Sequence, residues 1–287
     1  TKINGIGAWE DQLNGNWGIA PHNGYFTNPA TVPTAYIITD PNHPDYGQFK
    51  FFGYRDDDYD ALVNNGQAVK FTEWDFTSYT EGNTPWEAYK DEVKSIVFDT
   101  SMENIHPTSL AFWFDGCTNP SLTSIENIAF LQTDQVTSME RIFAGCAYLK
   151  TLDLESFDTS KVTNMSGMFD GCKKLETPYI FNWNTSRVTD LSSMFKGCEN
   201  LKYTQEFPLA FNNWNVTNVK DMSSMFEGCV WTEYLDLSDW NTSNVTDMNS
   251  MFKVCSYLKD IKFKDSDSSW NTSNVTDMSS MFESCYG

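Results

Sequence analysis

One motif recurs seven times along this chain, and every copy closes on a cysteine: Cys117, Cys146, Cys172, Cys198, Cys229, Cys255 and Cys285. A phenylalanine stands three residues before each, from Phe114 and Phe143 to Phe282. Successive cysteines lie 29, 26, 26, 31, 26 and 30 residues apart. A unit of that size cannot bury an apolar face alone, so copies must stack to share one core. The expected fold class is an α/β repeat solenoid over residues 105–287, about seven units with the last one truncated. Residues 1–104 carry no copy and read as a β-rich, aromatic N-terminal cap.

The fullest copy is WNTSNVTDMNSMFKVC, Trp240 to Cys255. Val245, Met248, Met251 and Phe252 fall at i, i+3, i+6 and i+7. That spacing predicts one face of a short helix. Glycine precedes the cysteine in five copies (Gly116, Gly145, Gly171, Gly197, Gly228), where it suits a left-handed exit from a helix. Val254 and Ser284 take its place in the last two. After the cysteine, Leu152 and Leu154, Leu235 and Leu237, and Ile261 and Phe263 alternate with polar residues, a strand signal. Each unit thus reads as strand, turn, short helix and turn. Phe157, Trp183, Trp214 and Trp240 recur in register and are expected to form a stacked column.

The run LDLSDWNTSNVTDMNSMF, with FxGCxxL joining the units, resembles the BspA-like leucine-rich repeats of bacterial surface proteins. The likeness covers roughly Ile105 to Cys285. It implies a leucine-rich-repeat-like, right-handed stack of short parallel strands and short helices. It also implies a cell-surface or secreted protein used in adhesion or host contact. The first copy departs from the pattern, with Pro107 and Leu110 at the valine and first methionine positions, as a capping repeat does.

The cysteines admit three readings. Disulfides fit an extracellular protein, but the count is odd and the residues form one column. Structural zinc needs close Cys pairs or nearby histidines, and His22, His43 and His106 all precede the first cysteine. Packed, unreactive thiols are the favoured reading, with occasional bridges or a reactive Cys285 as the remainder. The methionines read as core filler.

In the cap, Ala35–Thr39, Gln48–Tyr54 and Ala68–Phe76 read as strands. Thr84, Pro85 and Glu87 open a helix that leads into a further strand. The cluster Asp56, Asp57, Asp58 and Asp60 lacks the glycine and glutamate of a calcium loop, having Ala61 and Gln67 there, and reads as a solvated turn.

Thirty-nine acids against 19 bases give a net charge of −20. Acids exceed bases on both sides of residue 100, so this surface should repel nucleic acid and anionic membranes. No apolar run approaches the ~20 residues of a membrane span. The bounds of the chain suggest a fragment of a longer protein. No catalytic motif is present, and His106 has no designated partner. The chain reads as a non-enzyme with no cofactor and no metal site.

The functional expectation is a cell-surface or secreted binding module that adheres to a host or matrix protein or glycan. The ladder face would present Asp153, Tyr179, Asp236 and Lys262, and a long inter-repeat loop would add Phe207 and Phe211. The alternatives are a passive spacer or stalk, and glycan binding by Trp9, Trp17, Tyr25 and Phe26.

Overall fold

The computed structural model describes residues 33–54, 56–72, 79–180, 182–202, 210–263 and 270–287. Its first part is a mixed five-stranded sheet. Strand β1 (Thr34–Ile38) is buried at every position and lies between antiparallel neighbours β2 (Gln48–Phe52) and β3 (Ala68–Thr72). Strand β4 (Ser95–Phe98) runs parallel to β2, and the short β5 (Ile125–Glu126) parallel to β4. The sheet order is β3-β1-β2-β4-β5, so a strand from the repeated part completes the sheet of the cap. Trp86 crosses the same boundary: fully buried, it donates its indole N–H to the Trp113 carbonyl at 2.6 Å.

Two cap expectations are corrected. The aspartate cluster is the first turn of helix α1 (Asp57–Asn64). Asp56 caps it, accepting the Tyr59 N–H at 3.0 Å, as a carboxylate at a helix N-terminus does. Asp60 points inward, accepting from the Tyr36 hydroxyl at 2.8 Å and the Lys70 ammonium at 2.5 Å. The helix expected after Thr84 is a six-residue 3₁₀ segment, Glu87–Glu92, because Val93 turns extended just before β4.

The larger correction concerns the repeated unit. It contains no α-helix; among the described residues the one α-helix is α1, in the cap. Among the described residues the strands do not join into one sheet, although single parallel bridges link the copies from Ser109 and Ser138 on to Asp277. They form the five-stranded sheet and two separate parallel pairs, β6 (Thr151–Asp153) with β7 (Thr177–Tyr179) and β8 (Tyr234–Asp236) with β9 (Asp260–Lys262). The protein is a mixed α/β fold, and the leucine-rich-repeat solenoid is overturned.

Backbone dihedrals explain why the methionine segment does not coil. The fifth residue before each cysteine is left-handed: Phe112, Arg141, Gly167, Ser193, Ser224, Ser250 and Ser280 all have φ between 51° and 64°. The residue just before the cysteine is left-handed too, from Gly116 at 80° to Val254 at 61°. Two left-handed residues four apart break any i to i−4 ladder. The segment is instead a chain of tight turns. Within a copy, Ile142 N–H donates to Met139 O (3.3 Å), Ala144 to Arg141 (3.1 Å) and Cys146 to Phe143 (3.1 Å). The intervening N–H groups donate to the next copy: Met139 to Asn164 (2.9 Å), Arg141 to Ser166 (2.9 Å), Phe143 to Met168 (3.1 Å) and Gly145 to Asp170 (2.6 Å). With Glu140 N–H donating to the Ser138 hydroxyl at 3.3 Å, every backbone donor from Met139 to Cys146 has a partner, which burial requires.

Side chains follow the same register. The phenylalanine rings stack from Phe114 to Phe282 with centroids 5.3–5.9 Å apart. Each thiol from Cys146 to Cys285 donates to the phenylalanine carbonyl of the preceding copy, at 3.0–3.2 Å. Buried threonines span copies as well, as when the Thr159 hydroxyl donates to Asn184 O at 3.1 Å. All seven cysteines are free thiols. Among the described residues no helix is long and apolar enough to cross a membrane.

Candidate functional site

The short strands put two of the predicted residues side by side. Asp153 of β6 is the register partner of Tyr179 of β7, and both are exposed. Beside them lies a concavity of about 520 Å³ lined by Ile125, Asn127, Ile128, Ala129, Asp153, Glu155, Ser156 and Asn182. Its shape follows from local sequence. Asn127 adopts a left-handed φ of 58° and turns the chain from β5 into a 3₁₀ segment, Ile128–Phe130, with Ile128 buried in the wall. On the other side, the Asp153 carboxylate accepts the Glu155 N–H at 3.1 Å and fixes the bend after β6. The result is an apolar wall with carboxylates and amides around it.

The other predicted pair serves itself. Asp236 of β8 and Lys262 of β9 are register partners and form an ion pair at 2.8 Å. Burial opposes ionisation of Asp236, but hydrogen bonds from Lys262 and Ser238 hold its carboxyl below the usual range. The same bond raises Lys262. This pair lies on a different sheet from Asp153 and Tyr179 among the described residues. Phe207 lies outside the described residues. Phe211 is buried, packed edge-on against Phe195, Trp214 and Phe226, and is part of the core rather than a ligand contact.

Charged groups elsewhere are tied into the stack. Arg141 bridges Asp115 and Asp170 of the neighbouring copies, each at 3.2 Å. Burial pushes both carboxyls up despite the guanidinium between them. His106, read above as partnerless, pairs with Asp134 through Nδ1. Burial opposes ionisation of Asp134, yet hydrogen bonds from His106 and Gln135 hold its carboxyl below the usual range. No group of three or more His, Cys, Asp or Glu able to hold a metal occurs among the described residues.

One exposed feature escaped the sequence reading. Trp231 and Tyr257 stack face to face on the surface, with centroids 4.4 Å apart. Both stand two residues after a cysteine, where Tyr148 is a third exposed aromatic and other copies carry Asn119, Lys174 and Asn200. Aromatics at this place in two consecutive copies, Trp231 and Tyr257, were the available signal.

The family model described as "Mycoplasma protein of unknown function, DUF285" matches residues 108–207 and 201–287. No curated protein matches the chain, and no solved structure does. The resemblance to BspA-like leucine-rich repeats is thereby corrected. Adhesion through a leucine-rich-repeat ladder loses its basis, since the family match lies elsewhere. The stalk reading rested on the same solenoid and falls with it, and Trp9, Trp17, Tyr25 and Phe26 lie outside the described residues.

Proposed function

Because the chain belongs to the DUF285 family, whose members are described as of unknown function, we propose a role from its own geometry: a non-catalytic protein that captures a basic polypeptide at the Asp153 concavity. The observation that carries this reading is a pair of carboxylates, Asp153 and Glu155, set beside an Ile125–Ile128–Ala129 wall in a chain of net charge −20. A lysine or arginine side chain suits such a site. Its aliphatic stem covers the apolar wall while its charged head meets the carboxylates. Asn127 and Asn182 supply amides for the backbone of an extended segment. The acidic surface adds long-range attraction for cations and repulsion of phosphate polymers.

A binding role is favoured over a catalytic one by where the perturbed carboxyls lie. Asp115 and Asp170, pushed up by burial, are engaged by Arg141 and do not line the concavity. The partner we favour is a polypeptide rather than a glycan, because two carboxylates beside an isoleucine wall reward a cation. The location we propose is outside the cell. Buried thiols whose pKa is raised resist oxidation, which suits an oxidising medium.

Titration of the protein with a fluorescein-labelled hexalysine peptide tests this by anisotropy. Saturable binding is expected, weakening between 50 and 300 mM salt, roughly two Debye-length regimes. The double variant Asp153→Asn/Glu155→Gln should weaken it by about tenfold, on the order of 1.4 kcal/mol. Equal binding by that variant would refute the site, and no binding by the unaltered protein would refute the function.

A further inference from the structure

The Asp153 concavity leaves the Trp231–Tyr257 stack unused, and the two are independent. The rings lie 4.4 Å apart with planes 13° from parallel, yet Trp231 and Tyr257 remain 47% and 44% exposed. Their placement is fixed by the backbone: Trp231 N–H donates to Glu199 O and Tyr257 N–H to Val230 O, each at 3.2 Å. Two large rings already stacked on each other lose less side-chain freedom when a ligand covers them, which lowers the cost of binding.

Charge selects the ligand. Glu199 lies at the carbonyl that anchors Trp231, and Glu233 follows Trp231 by two residues. Their partners, Lys173 at 3.2 Å and Lys259 at 2.8 Å, have side chains that are 59% and 61% exposed. Ion pairs that open to water are held weakly and exchange readily for a better-placed cation. An aromatic face whose backbone neighbours include Glu199 and Glu233, on a chain of net charge −20, is complementary to a cation. Arginine fits better than lysine, since its planar, weakly hydrated guanidinium stacks on a ring while its N–H groups reach a carboxylate. We infer that the Trp231–Tyr257 stack, with Glu199 and Glu233, is a docking site for an arginine side chain of a basic polypeptide.

The experiment compares labelled hexaarginine, hexalysine, a neutral proline-rich peptide and a neutral oligosaccharide. Each is titrated against the unaltered protein, Trp231→Ala/Tyr257→Ala, Glu233→Gln and Asp153→Asn/Glu155→Gln. Melting curves confirm that the exposed-ring variant stays folded. Hexaarginine should bind more tightly than hexalysine. Loss of the two rings should weaken hexaarginine by roughly two- to fivefold per ring and lysine less, the range for exposed cation–aromatic contacts. Glu233→Gln should weaken both peptides. Unchanged hexaarginine binding by the folded ring variant overturns the inference, as does preference of the stack for the proline-rich peptide or the oligosaccharide. Loss of hexalysine binding only in Asp153→Asn/Glu155→Gln, with the ring variant normal for both peptides, leaves the concavity standing and rejects this site.

Discussion

Gly167 is where the turn architecture and a helix predict opposite signs. It lies between Met165 and Met168, in the middle of the segment whose spacing predicts a helix. In a helix, Gly167→Ala would stabilise the protein by about 0.5–1 kcal/mol. Here Gly167 has φ +58°. An L-residue pays about 1–2 kcal/mol for that conformation. An added Cβ would also stand 3.0 Å from Cγ of Arg141, a flexible side chain that can yield by a few tenths of an ångström. Restriction of the unfolded chain returns about 0.4–1 kcal/mol. The net is a destabilisation of about 1 kcal/mol, so the two architectures differ by roughly 2 kcal/mol at one methyl group. Thermal melts at pH 7 read this as a fall in Tm of about 2–4 °C. The reciprocal change Ser193→Gly, at φ 55° in the next copy, should raise Tm slightly, whereas in a helix it would lower it. A higher Tm for Gly167→Ala would refute the turn architecture.

Two further outcomes are expected. Burial raises the pKa of the thiols from Cys146 to Cys255, Cys255 up to about 12, while Cys285 is only half-buried; a thiol reagent at pH 8 should label Cys285 first and the other six, all buried, only on unfolding, and rapid native labelling of several would contradict the packing. Arg141→Met removes the cation between Asp115 and Asp170 and should cost about 1–3 kcal/mol at pH 7, less than a fully buried pair because Arg141 is partly exposed. Burial already places both carboxyls above their usual range, so their protonated forms favour the fold: that contribution is complete below the unfolded pKa and is lost as pH rises through the folded one. The Tm gap between variant and parent should therefore shrink from pH 7 to pH 4, and a constant gap would show that the charges are not what Arg141 offsets.

Much of the core was legible because the repeat names its own buried positions. Val136, Met139, Ile142, Phe143 and Cys146 are all buried, as their recurrence in every copy suggests. The conformation was not legible, because a three-residue periodicity is met equally by a helix face and by successive i to i−3 turns. Of the left-handed residues five before the cysteine, only Gly167 carries a compositional signal; Arg141 and the serines carry none. Of the predicted site residues only Asp153 lines the concavity. Asp153 and Tyr179 are register partners across β6 and β7, whereas Asp236 and Lys262, register partners across β8 and β9, form an ion pair with each other. Phe211, placed by the sequence in a long inter-repeat loop, is drawn inward by the aromatic rings of Phe195, Trp214 and Phe226.

The sequence by itself determined the stacking register, the thiol column and the acidic surface, because each depends only on residue type recurring at fixed intervals. Tertiary structure alone decided the rest: that the backbone donors of a unit alternate between its own turns and the next copy. Where an N–H bonds depends on which carbonyl a neighbouring copy brings near, and that choice turned an apparent helix into stacked turns. It also placed Trp231 over Tyr257 and opened the Asp153 concavity, since both arise between copies rather than within one.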